Sequence, residues 1–85
     1  MATNVDLITR YVERDPRRPG SVAEARIVGT ALPVWALVGY FQAVGQDLDR
    51  VADDYDVSHE IVEAALAFYA RHRTAIDERI AANLA

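Results

Sequence analysis

Eighty-five residues, 52% apolar and 26% charged, suffice for one small folded domain or one subunit of an assembly, and exclude a multi-domain enzyme. The absence of Cys removes disulfides, thiol nucleophiles and thiolate metal sites, and fits a reducing cytoplasm. The net charge of −4 is unevenly spread: residues 47–63 hold seven acids against Arg50 while residues 27–46 hold no charge, so no basic stripe for nucleic acid runs along the bulk of the chain.

Residues 1–30 read as an irregular N-terminal arm. It opens with a short amphipathic piece around Val5, Leu7 and Ile8 and has no basic run before an apolar stretch, so no signal peptide is legible. The run Asp15-Pro16-Arg17-Arg18-Pro19-Gly20-Ser21 forbids a helix and reads as a turn. On either side of it, Tyr11-Val12 and Arg26-Ile27-Val28 have the extended character of a small β-hairpin closed by a long loop.

Helical signals begin at Pro33, with Thr30 upstream as a candidate cap, and end at Gly45. The uncharged run Ala31 to Val44 is too short to cross a bilayer, so no membrane partner is expected. Val34, Leu37, Val38 and Phe41 share one face of this helix; Trp35, Ala36, Gly39, Tyr40 and Ala43 cover the other. A helix without a polar face must be buried all round, which a domain of this size rarely manages alone. The sequence therefore predicts a homodimer whose interface contains Trp35, Gly39, Tyr40 and Ala43.

Asp47 is placed to cap a short helix carrying Leu48, Val51, Ala52 and Tyr55. Asp56-Val57 reads as a tight turn, and Ser58 caps a third helix through a single hydrogen bond. An apolar stripe of Val62, Ala65, Leu66, Tyr69, Ile76, Ile80 and Leu84 follows, interrupted at Arg73. It describes either one helix of about 36 Å or two helices broken near Arg73 and Thr74. Residues 73–85 are expected to be a helical extension whose Ile76, Ile80 and Leu84 dock on a partner.

The expected fold is all-α: a helix-turn-helix-like (homeodomain-like) three-helix core over residues 31–72, with a small N-terminal β element and a C-terminal helical extension. Val51, Tyr55, Val57, Val62 and Ala65 supply the inward positions, and Ala52 is small where two helices cross. The outward face of the third helix offers Ser58, His59, Glu60, Glu63, Ala64 and Ala67, a poor set for reading bases because carboxylates are repelled by phosphate. Ser58 and His59 are its DNA-facing candidates. Arg17 and Arg18, with Arg14 and Arg26, are the candidate phosphate contacts.

No catalytic or metal site is read from the sequence, and no cofactor is expected. His59 and Glu63 are too few ligands for structural zinc, Asp53, Asp54 and Asp56 read as a solvated acidic cluster, and Ser58 with His72 makes no triad.

The runs Asp15-Pro16, Arg26-Ile27-Val28-Gly29-Thr30, Leu32-Pro33-Val34-Trp35 and Val62-Glu63-Ala64-Ala65-Leu66-Ala67-Phe68-Tyr69 resemble the domain-of-unknown-function family four-three-three (DUF433) over residues 11–70. The resemblance implies a helix-turn-helix fold and an antitoxin of the VapB type, with a PIN-like ribonuclease toxin as partner and operator DNA as a further one. This chain has Ala31 where the family commonly has Arg after Gly-Thr, which removes one phosphate or toxin contact that the resemblance would otherwise imply. The alternative function is a dimeric protein-interaction module that keeps the fold and does not bind DNA.

Overall fold

The structure, a computed structural model, describes residues 3–84. Among them are five α-helices and one two-stranded antiparallel sheet, in the order α1 (Asn4–Tyr11), β1 (Val12–Glu13), a single 3-10 turn (Val22–Glu24), β2 (Arg26–Ile27), α2 (Val34–Ala43), α3 (Leu48–Tyr55), α4 (His59–Arg71) and α5 (Arg73–Leu84). The chain is thus all-α with the expected small β element. No helix among the described residues is long and apolar enough to cross a membrane.

A hairpin forms, shifted from the expected strands: Tyr11 is the last residue of α1 and Val28 follows β2, so the paired residues are Val12 opposite Ile27 and Glu13 opposite Arg26. The loop it closes is tightened by Asp15, whose carboxylate accepts the Arg17 amide at 2.9 Å and whose carbonyl accepts the Arg18 amide at 2.9 Å. Residues 3–11 are more ordered than the expected irregular arm. Thr3 and Asp6 form a reciprocal capping box that starts α1, and Leu7 is buried. Since Ala25 and Ile27 also lie in the hydrophobic core, residues 3–30 contribute to the same packing unit as the helices.

Pro33, in extended conformation, precedes α2. Thr30 does not cap it: the Thr30 hydroxyl donates to the Ile27 carbonyl at 2.8 Å and accepts the Leu32 amide at 3.0 Å, closing the turn after β2 instead. Asp47 and Ser58 cap as expected, accepting the amides of Arg50 at 3.1 Å and Ile61 at 3.3 Å. Between α3 and α4, Asp56 adopts the left-handed conformation at φ 54°, which lets its own amide and that of Val57 return to the end of α3. Helices α2, α3 and α4 enclose Val34, Leu37, Val38, Val51, Ala52, Val62 and Ala65, the helix-turn-helix-like core.

The long stripe resolves into two helices, with the break at His72, one residue before the expected interruption. Its backbone leaves the helical region, and α5 turns back against α2 and the Val22–Glu24 turn.

Candidate interaction groove

Helix α5 settles which parts of α2 stay open. Ile76 is fully buried in the chain's own core, so it is not the partner contact the sequence suggested; the return of α5 closes over it. Ile80 lies over Gly39, where an added methyl group would meet its side chain at 3.8 Å. That is ordinary van der Waals contact, so the packing of α2 on α5 does not require glycine at this position. Arg79 takes the Glu24 carboxylate at 3.1 Å and places its guanidinium 4.2 Å from the centre of the Trp35 ring. The second face of α2, expected to meet only another subunit, is therefore half covered from within the chain. Trp35 is half-buried, and its indole N–H is enclosed without a hydrogen-bond partner.

What α5 leaves uncovered is a groove of about 640 Å³ between α2, α3 and α5. Trp35, Gly39, Tyr40 and Ala43 line it from α2, Tyr55 from α3, and Ile80 and Leu84 from α5. The expected dimer residues and two of the three expected partner residues thus share one surface. Leu84 stands at its rim with 81% of its surface exposed.

Polar chemistry fixes the aromatic wall. The Tyr40 and Tyr55 rings meet edge to face, 5.3 Å apart and at 81°. The Tyr40 hydroxyl donates to Asp54, which also accepts the Arg50 Nε–H at 3.4 Å. That hydroxyl bond, reinforced by Arg50, holds the Asp54 carboxyl below the ordinary carboxylate range, and the same bond to Asp54 is the main reason the Tyr40 phenol is raised. Behind the groove, Tyr69 donates to Asp77 at 2.7 Å across the α4–α5 break, and this bond raises its phenol.

The proposed base-reading face of α4 is differently disposed from the sequence reading. Ala64 and Ala67, placed outward by the helical wheel, are buried, at 0% and 8% exposure. Helix α1 packs along α4, and the Tyr11 hydroxyl donates to Glu60 at 2.9 Å. A wheel registers the small residues on this face but not the sequence-distant helix that needs them small. The Thr3-Asn4-Val5-Asp6 cap was the available signal for that helix.

The candidate DNA contacts are scattered among other tasks. Ser58 caps α4, and His59 bridges back to Asp49 of α3 at 3.0 Å. Arg26 faces Glu13 across the hairpin at 3.5 Å. Arg14 donates to the Pro19 carbonyl at 3.3 Å. Arg17 and Arg18 sit exposed in the turn after β1. No group of His or acidic residues among the described ones has the arrangement of a metal site.

The family model described as a protein of unknown function, DUF433, matches residues 12–69. The chain belongs to the DUF433 family. The matched region runs from β1 through most of α4, leaving outside it the two helices that decide the exposed surface, α1 and α5. No curated protein and no solved structure matches the chain.

Proposed function

We propose that this DUF433 protein is a non-catalytic, antitoxin-like regulator that works by binding protein rather than by reading bases with α4. One contrast carries the reading: α1 packs on α4 and buries Ala64 and Ala67, leaving the exposed part of that face to Ser58, His59 and the carboxylates Glu60 and Glu63, which phosphate repels, while the groove between α2 and α5 is left open and apolar. The occupant we assign to that groove is a second copy of the chain. Its lining contains no charged side chain in a molecule of net charge −4, so two copies meet there without like-charge repulsion. Leu84 projects at the rim beside the part-exposed Trp35 and Tyr40 and the small Gly39 and Ala43, giving one patch both a projection and a hollow for a two-fold interface.

The resemblance to antitoxins supports a PIN-like ribonuclease as the partner that the dimer occludes, acting in the cytoplasm. Sedimentation equilibrium of the wild type and of Leu84→Glu tests the dimer, and co-purification with a co-expressed ribonuclease from the adjacent reading frame tests the partner. A wild-type dimer that Leu84→Glu dissociates, together with a retained ribonuclease, is expected. A wild type that stays monomeric at micromolar concentration removes the dimer, and a ribonuclease that neither binds nor loses activity removes the antitoxin reading.

A second reading keeps operator DNA as a ligand through the turn alone. It is favoured by Arg17 and Arg18, exposed and without an ion-pair partner among the described residues.

A further inference from the structure

A second cavity, of about 280 Å³, opens where α1, β1 and the end of α4 meet. Its apolar side is made by Ile8, Val12 and Phe68, and its polar side by Arg14, Arg71 and His72. Glu13 also borders it, but its carboxylate faces Arg26 at 3.5 Å. Three nitrogen bases thus converge in a molecule whose overall charge is −4. Neither Arg14 nor Arg71 has an ion-pair partner among the described residues. Arg14 is steadied by its bond to the Pro19 carbonyl, and the His72 ring lies against Phe68 with centroids 4.6 Å apart.

We infer that this cavity binds a small organic anion of about one ring, its carboxylate or phosphate held between Arg14 and Arg71 and its hydrocarbon body lying on Ile8, Val12 and Phe68. The volume sits at the small end of the roughly 300–1,000 Å³ of ligand pockets, which admits a single ring with its headgroup and little more. A guanidinium beside an apolar wall suits such an amphiphilic anion because the fork takes the oxygens while the wall takes the ring. Burial, and after it the charges of Arg14 and Arg71, hold His72 below its ordinary range, so both guanidiniums act on the space that His72 borders.

The site is separate from the groove assigned to a second copy, and binding here stands or falls independently of dimerisation. The test is a nuclear magnetic resonance titration of the full chain with benzoate, phenyl phosphate, inorganic phosphate and benzyl alcohol. One of the two ring anions is expected to saturate with Kd of about 1 mM or tighter. It should shift the amides of Val12, Arg14, Phe68 and His72 and raise the pH at which the His72 ring titrates. Preference for benzoate identifies a carboxylate headgroup, and preference for phenyl phosphate a phosphate. Arg71→Gln, whose side chain is exposed, should weaken binding about tenfold with the fold retained by circular dichroism, and Arg14→Gln should do the same. Arg17→Gln should leave binding unchanged. Equal binding of benzyl alcohol, shifts spread over all arginines without saturation, or undiminished binding by both Arg14→Gln and Arg71→Gln would each overturn the assignment.

Discussion

Replacing Ile76 by Ala separates a helix that belongs to the core from one that merely docks on a partner. Ile76 is 0% exposed and packs in the cluster that α2 and α4 also build, whereas Leu84, two turns further along α5, is 81% exposed. Removing three buried carbons costs the transfer free energy and leaves a cavity, together about 2–5 kcal/mol for such a substitution. A domain of this length has a total stability of roughly 4–12 kcal/mol, so Ile76→Ala consumes a large part of it. With m of about 1 kcal/mol/M in urea, the midpoint should fall by about 2 M or more without a change in slope. Leu84→Ala, measured under dissociating conditions, should move stability by less than about 0.5 kcal/mol. Circular dichroism at increasing urea supplies both values. If Ile76→Ala leaves the midpoint in place, α5 is not packed on the core, and the account of the groove fails with it.

Gly39→Ala should stabilise the monomer by about 0.5–1 kcal/mol, because the new methyl makes ordinary contact with Ile80 and the helix interior loses its glycine penalty; a destabilised variant in thermal melts would mean that α2 and α5 lie closer than described. For His72, whose folded-state value is lowered below 6.5, the unfolded chain takes up its proton first as pH falls. Stability should therefore decline as pH drops from about 6.5 toward the lower folded-state value, and denaturation curves of His72→Gln should lack this component; an unchanged pH profile counts against burial of the ring. If the chain binds operator DNA, Arg17→Ala combined with Arg18→Ala should reduce the slope of log affinity against log salt by about 0.9 per lost phosphate contact, and an unchanged slope removes the turn from the interface.

Local chemistry made much of the fold legible. Asp47 and Ser58 each satisfy an amide three residues away, Asp56 carries the left-handed turn, and Val12 pairs with Ile27 across a loop that two prolines make non-helical. These features depend on residues within one turn or one hairpin, the range over which sequence spacing and geometry coincide. The residues that α2 gives the groove were legible for the same reason, since a charge-free α2 with aromatic and small residues on its second face announces a surface to be covered, whereas Tyr55, expected to face inward, stands in the groove wall.

What covers each apolar face was decided only in three dimensions. Periodicity identifies a face that avoids water but carries no address for its neighbour. Glu24 and Arg79, 55 residues apart, bring α5 back over Trp35 and bury Ile76, turning an expected docking stripe into core and leaving Ile80 and Leu84 at the groove. Tyr11 and Glu60, 49 residues apart, hold α1 on the face of α4 that a wheel shows as free. Both contacts join segments that loops and turns had to bring together, and their formation depends on the summed packing of the whole chain rather than on any pattern within one segment.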